Sequence, residues 1–172
     1  MKALSTGIGL QLHWIQPSAI ERRFELYSEN SLLEDLRIAP DRTAYGTLTI
    51  ANIVTECWIF KGTGFLKRRL TIRENGEKDD IAVYRSKFWG DGWVEFVKGS
   101  KFYWKSTSFC GTGRGFYNEH NELLFVLKPK LFDLLKIQSV VEIGPQFNEL
   151  DELPLLLMLA CYVHVLDSYA SR

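Results

Sequence analysis

Apolar and polar residues alternate along roughly the first 140 residues, and a nearly unbroken apolar run follows them. Leu10, Leu12 and Trp14 fall on one face of an extended segment, while Gln11 and His13 fall on the other. An alternation of period two is typical of strands that are buried on one face only. The pattern predicts a chain made mostly of short antiparallel strands.

Two pairs of predicted strands are joined by residues that favour tight hairpin turns. Asn75-Gly76 follows FLKRRLTIR and precedes the strand predicted from Ile81 to Arg85. Gly99-Ser100 joins Trp93–Lys98 to Lys101–Thr107, and we expect positive φ angles at Gly76 and Gly99. Further strands are predicted from Thr43 to Phe60, with Leu48 and Ile50, and then Val54, Trp58 and Phe60, on common faces.

The apolar run Leu153–Leu166, LPLLLMLACYVHVL, predicts a helix that is buried on all sides because no polar stripe interrupts it. It is shorter than the roughly 20 residues that a membrane-spanning helix needs. Pro154 and His164 also lie inside it, so a core helix is preferred to a transmembrane span. A chain of strands can bury such a helix by closing around it, which also removes edge strands. We therefore predict an all-β fold, a closed antiparallel β-barrel around a hydrophobic C-terminal α-helix, with residues 1–172 forming a single domain. A two-sheet sandwich with a packed helix is the second choice.

The overall charge gives no reason to expect a nucleic-acid partner. Lys and Arg total 21, as do Asp and Glu, so any electrostatic partner must bind a local patch. The three cysteines are far apart, which fits a reducing compartment better than a disulfide framework. The N-terminus lacks the apolar core of a signal peptide. We expect a cytoplasmic protein.

Three local motifs contain residue types that are found in catalytic, phosphate-binding or metal-binding sites, and each favours a structural role. Cys161 and His164 are three residues apart on the predicted helix, where two core residues are expected rather than a catalytic dyad. Residues 111–115, GTGRG, lack the Gly-Lys-Ser/Thr of a phosphate loop and precede a strand-like segment. Asp79 and Asp80 point to opposite faces of a strand and fit a solvated turn. No catalytic residue, metal ligand or cofactor is predicted.

The most informative surface feature is a set of cations that alternates with apolar residues in one predicted strand. Lys67, Arg69 and Arg73 share a face opposite Leu70 and Ile72. Such a face can bind lipid head groups or an acidic protein, with each cation near an anionic bilayer contributing on the order of 1 kcal/mol. The competing interpretation is an ordinary solvated face balanced by nearby carboxylates. The next hairpin can extend the patch with three more lysines: Lys98, Lys101 and Lys105.

The order of these segments resembles the tubby C-terminal-like superfamily, which includes tubby domains, plant LURP-one-related proteins and phospholipid scramblases. The resemblance rests on WIFKGTGFLKRRLTIRENGEKDDIAVYR, on YNEHNE followed by Leu123–Lys128, and on LPLLLMLACYVHVLDSY. It implies a barrel of about twelve strands threaded by the hydrophobic helix. The chain lacks an Asp-x-Asp loop like the one implicated in calcium binding by scramblases, and the tubby phosphoinositide-binding Lys/Arg pair has no assignable positions.

Together the basic face and the resemblance favour a non-enzymatic interaction module. We predict that it binds anionic phospholipid head groups, or an acidic protein, at a membrane surface. The predicted lipid-binding residues are Lys67, Arg69, Arg73, Lys101 and Lys105. The alternative is a barrel that carries a small apolar ligand, and an enzyme is the third class.

Overall fold

The computed structural model describes residues 11–63, 69–87, 90–107, 113–130, 136–145 and 150–170. These residues form twelve strands and one helix. The strands are β1 (Leu12–Ile15), β2 (Arg23–Ser28), β3 (Ser31–Ile38), β4 (Ala44–Ile50), β5 (Ile53–Thr63), β6 (Arg69–Glu74), β7 (Ala82–Ser86), β8 (Gly92–Phe96), β9 (Lys101–Ser106), β10 (Arg114–Tyr117), β11 (Leu123–Pro129) and β12 (Gln138–Ile143), and the helix is α1 (Leu153–Ala170).

The strands form a closed antiparallel barrel in which each strand pairs with its neighbours in sequence. The barrel closes where β1 pairs with β12, with Leu12 opposite Val141. Inward and outward side chains alternate along the strands, as they do in β9, where Phe102 and Trp104 are buried. The predicted barrel is confirmed, and its closure rules out the two-sheet sandwich.

The helix α1 is enclosed by the barrel. All residues from Leu153 to Val163 are buried, and Leu156, Leu157 and Leu159 are fully inaccessible to solvent. They belong to one apolar core with the inward-facing residues of the strands. The predicted buried helix is confirmed, with half-buried His164 and Leu166 near its C-terminal end. Within the described residues, no helix has the length and hydropathy to cross a bilayer.

The two ends of the barrel are distinguished by the direction of α1. Because the strands run alternately up and down, the connections β2–β3, β4–β5, β6–β7, β8–β9 and β10–β11 lie at one end, and the other connections lie at the opposite end. The helix begins at the end that holds the β2–β3 and β8–β9 connections, which we call the entry end; there the Ser100 hydroxyl donates to Glu152 at 2.8 Å. The helix ends near the opposite end, which we call the exit end, and the Tyr162 hydroxyl donates there to the Arg42 carbonyl.

The two predicted turns are present and join adjacent antiparallel strands. Gly76 and Gly99 have φ angles of 94° and 103°, a region where a residue with a Cβ is strained. The strands themselves are shorter than predicted. β8 ends at Phe96, whose N–H donates to the Ser100 carbonyl at 2.9 Å, so three residues form that loop. The strand after Gly76 begins at Ala82.

The prediction that Val54 faces inward with Trp58 and Phe60 is wrong. Val54 is 56% exposed, whereas Trp58 and Phe60 are buried. The register explains the difference, because Glu56 pairs with Leu48 while Val54 pairs with Thr49. One extra residue between them forms a bulge, which changes the face on which the following side chains lie.

Candidate functional site

A continuous row of large polar-tipped side chains crosses the outer surface of five neighbouring strands. Directly paired positions connect Arg69 to Arg85, Arg85 to Trp93, Trp93 to Tyr103 and Tyr103 to Tyr117. The alternating inward neighbours of these residues, such as Leu70 and Val94, are buried in the core. The row therefore lies on the outer wall of β6 to β10, which we call the basic outer face.

Lysine ammonium groups lie close to the three aromatic rings of this row. Lys101 lies 5.5 Å from the centroid of Trp93 and 5.6 Å from that of Tyr103. Lys105 lies 5.5 Å from Tyr103 and 4.9 Å from Tyr117. These separations are within the range of cation–π attraction. Cations and rings therefore alternate along the face and hold one another in place.

One carboxylate partly neutralises the face. Glu95 accepts from Arg85 at 2.7 Å and from Lys101 at 2.9 Å, so two cations share a single negative charge. The hydrogen bond from Lys101 is the main cause of a lowered pKa at Glu95, and the same bond raises the pKa of Lys101. Lys105 instead donates to the neutral amide oxygen of Asn121 at 2.6 Å. The face keeps a net positive charge after these contacts are counted.

The structure brings together three of the five predicted lipid-binding residues. Arg69, Lys101 and Lys105 lie on the basic outer face. Arg73 lies at the far end of β6, where it pairs with Asp80 at 2.9 Å, so its charge is compensated. Lys67 lies outside the described residues.

Lys98, which was expected to extend the patch, does not lie on the basic outer face. It is exposed in the loop between β8 and β9 at the entry end.

The sequence interpretation missed the aromatic half of the face. Trp93, Tyr103 and Tyr117 were assigned to strands but not to a site, and Arg85 and Lys87 were not considered. Lys87 lies 5.8 Å from the Trp93 ring. The predicted turn at Gly99-Ser100 places Trp93 opposite Ser106, whereas Trp93 pairs with Tyr103 in the structure. The loop lies closer to β8 than predicted, and this shift changes every cross-strand pair of the hairpin.

A second feature is a carboxyl group inside the barrel. Glu34 is 1% exposed, and neither of its oxygens has a hydrogen-bond partner within the described structure. Burial, reinforced by the charge of Glu56, raises the pKa of Glu34 well above its ordinary value. Burial, reinforced by Glu34, also raises the pKa of the Cys161 thiol. Because a thiol must ionise to act as a nucleophile, this position of Cys161 opposes the dyad with His164.

A third feature joins the end of α1 to the barrel wall at the exit end. Arg114 pairs with Asp91 at 2.7 Å and lies 3.7 Å from Asp167 of the helix. Burial lowers the pKa of His164, and the charge of Arg114 lowers it further. The Tyr84 hydroxyl is buried with no partner among the described residues. Two carboxylates compensate the Arg114 guanidinium here, so the cluster fastens the helix and leaves no uncompensated cation among its described residues.

The remaining motifs do not form recognisable sites. Residues 111 and 112 of the GTGRG segment lie outside the described ranges, and a strand, β10, begins at Arg114. Asp80 is paired with Arg73, and Asp79 is exposed in the turn. Across the described residues, no group of three or more His, Cys, Asp or Glu side chains is arranged to hold a metal ion.

Comparison with known proteins leaves the family open. No family model, curated protein or solved structure matches the chain. The tubby-like and LURP-one-related resemblance therefore stays a prediction, and the case for function rests on the geometry of the described residues.

Proposed function

We propose that the protein is a non-enzymatic binding module that attaches to anionic phospholipid head groups through its basic outer face. The observation that carries the proposal is the alternation of Lys101 and Lys105 with Trp93, Tyr103 and Tyr117 on adjacent strands. Tyr and Trp are enriched at membrane–water interfaces because each has an apolar body and a polar tip. Neighbouring cations add attraction to an anionic surface. This binding would make the protein membrane-peripheral on the cytoplasmic side.

A lipid surface fits the face better than a single-stranded nucleic acid does. Bases stack on free aromatic faces. The Tyr103 ring already has the ammonium groups of Lys101 and Lys105 within 5.6 Å of its centroid. The chain as a whole also has equal numbers of acidic and basic residues. An acidic protein shares the charge requirement and is treated as an outcome of the test.

The carrier interpretation has less support because α1 occupies the lumen. Leu155, Leu159 and Val163 are at most 5% exposed and pack in the same core as the inward strand residues. A ligand of the size of a fatty acid would need the helix to leave. An enzymatic role has less support from the described residues, since the buried Cys161 and the ion-paired Arg114 are committed to the core and to the helix end.

The test is vesicle flotation with phosphatidylcholine vesicles that contain or lack phosphatidylserine. We expect the wild type to bind only the anionic vesicles, and more weakly as salt is added. The double variant Arg69→Glu/Lys105→Glu removes two cations from the face. At about 1 kcal/mol per residue it should weaken binding by at least about 30-fold.

The matched control is Lys78→Glu/Lys98→Glu, which changes the net charge equally in the β6–β7 and β8–β9 connections. Both residues are exposed and lie outside the basic outer face. We expect the control to bind like the wild type and both variants to stay folded. If the wild type ignores anionic vesicles even at low salt, the lipid proposal is wrong and an acidic protein becomes the better partner.

A further inference from the structure

The charges of this neutral chain are separated along the axis of the barrel. At the entry end, Asp151 and Glu152 precede α1, and carboxylates outnumber the cations Lys78 and Lys98 in the connections there. Those carboxylates are Glu29, Glu77, Asp79, Glu119 and Glu122, and Asp80 there pairs with Arg73 of β6.

The exit end has the opposite sign. Its exposed cations have no carboxylate partner within the described residues: Arg22 lies over the Tyr169 ring at 5.4 Å, and Lys87 lies near Trp93. The described carboxylates there are four: Asp91 and Asp167 are engaged with Arg114, Asp41 accepts hydrogen bonds from Thr43, and Glu21 is exposed next to Arg22. The cations at this end outnumber these acids, since three more have no ion pair within the described residues: Arg42, Arg69 and Lys130.

The axial separation of charge runs opposite to the dipole of the enclosed helix and complements it. A helix favours negative charge near its N-terminus and positive charge near its C-terminus. The helix itself has no acidic residue in its first turn and no basic residue in its last turn. Charged residues at the two ends of the barrel therefore supply the charges that α1 lacks, and the two ends of the molecule differ in the sign of their net charge.

We infer that the exit end is the part of the molecule that docks on an anionic phospholipid bilayer, with the entry end directed away from it. The inference rests on the proposed function, and Arg69 and Lys87 are where the basic outer face meets this end. Arg22 and Lys130 extend the contact beyond that face, since they follow β1 and β11, which lie outside β6 to β10.

Exposed apolar residues do not change this choice of end. Ile20, which is 94% exposed, lies at the exit end beside Arg22. At the entry end Ile53 and Val54 are exposed at the start of β5, and Val97 is exposed next to Lys98, but carboxylates outnumber cations in the connections of that end, and an anionic surface repels them. Charge therefore selects the exit end, and Ile20 gives it one apolar side chain to insert.

The experiment compares two double charge reversals with the same change in net charge. Arg22→Glu/Lys130→Glu alters the exit end outside the basic outer face, and Lys78→Glu/Lys98→Glu alters the entry end. Binding to phosphatidylserine-containing vesicles is measured by flotation over a range of lipid concentrations. We expect the exit-end variant to bind at least about tenfold more weakly than the wild type, and the entry-end variant to remain within about twofold of it. Circular dichroism and thermal unfolding verify that both variants fold.

The outcomes separate this inference from the proposal on which it rests. If both variants weaken binding equally, only the net charge matters and the inference is wrong, although lipid binding stands. If the entry-end variant binds more weakly than the exit-end variant, the orientation is reversed. Failure of the wild type to bind any anionic vesicle would overturn both the proposed function and the inference. If Arg22→Glu/Lys130→Glu does not fold, the single change Lys130→Glu against Lys98→Glu makes the same comparison.

Discussion

The carboxyl group of Glu34 should make the protein less stable as the pH rises. Its oxygens are enclosed between β3 and α1 with no hydrogen-bond partner in the described structure, and Leu26 and Leu48 are its cross-strand neighbours. Its folded-state pKa is raised well above the ordinary value of 4.5 because burial disfavours the charged form. The folded protein therefore keeps a proton that the unfolded chain releases.

The sign and the size of the effect follow from this difference in protonation. Below the unfolded pKa both states are protonated, and Glu34 carries no ionisation penalty. Above it, the free energy of unfolding falls by about 1.4 kcal/mol for each pH unit, and the loss stops when the folded pKa is reached. Each pH unit over which the loss continues therefore removes a noticeable part of the roughly 5–15 kcal/mol that stabilises a typical domain.

The perturbation that isolates this term is Glu34→Gln, which keeps the shape of the side chain and cannot ionise. Urea unfolding followed by tryptophan fluorescence at a series of pH values gives the free energy of unfolding of each protein. We expect the variant and the wild type to agree near pH 4.5, with the variant gaining about 1.4 kcal/mol per unit above it.

Glu77→Gln, the same change at an exposed carboxyl in the β6–β7 turn, serves as the matched control. Parallel curves for the wild type and Glu34→Gln would mean that the Glu34 carboxyl reaches solvent or a partner in the folded protein. The argument from burial would then be refuted.

Two further predictions concern the packing of the barrel. Leu157→Asp should prevent folding because an unpaired charge would be buried in the lumen. Leu157→Ala should fold but lose about 2–5 kcal/mol of unfolding free energy by leaving a cavity, as chemical unfolding can measure. A soluble, cooperatively folded Leu157→Asp protein would contradict the enclosed helix. Gly92→Ala should lower stability by about 1–3 kcal/mol, because the added Cβ would stand 2.6 Å from the Arg85 carbonyl oxygen and would also crowd the Tyr84 hydroxyl. Tyr84→Phe in the Gly92→Ala background should restore only part of the loss, since the backbone contact remains, and full recovery would contradict this assignment of the strain.

The fold could be predicted from the sequence because two patterns in it are unambiguous: the alternation of apolar and polar residues in the strands and the continuous apolar run of the helix. Strand alternation is clear where one face is fully apolar, as for Leu12 and Trp14, and the run from Leu153 leaves no face for solvent. Closure follows from the need to enclose that run. The inward orientation of Val54 could not be predicted, because the β4–β5 bulge depends on a pairing register that alternation within one strand does not contain.

The candidate site was only partly predictable for a related reason. Alternation correctly placed Arg69 outward, and it placed Lys101 and Lys105 on the outer face of the next hairpin. Alternation within a strand does not indicate that Asp80 neutralises Arg73, because that contact crosses a turn. The association of lysines with Trp93 and Tyr103 depends on cross-strand neighbours two or more strands away from the first predicted cations.

The enclosed helix imposes an order on folding during synthesis. The helix follows all twelve strands in the chain, and β1 pairs with β12, so the ring cannot close before β12 has left the ribosome and its lumen cannot be filled before the helix has. Until then the inward faces of the strands, including Trp14, Phe60 and Trp104, have no core to bury them. Proteins with long-range strand pairing of this kind fold slowly and pass through aggregation-prone intermediates. A nascent chain stalled before Leu153 should therefore engage chaperones and remain sensitive to protease, and resistance should arise in one step once the helix emerges.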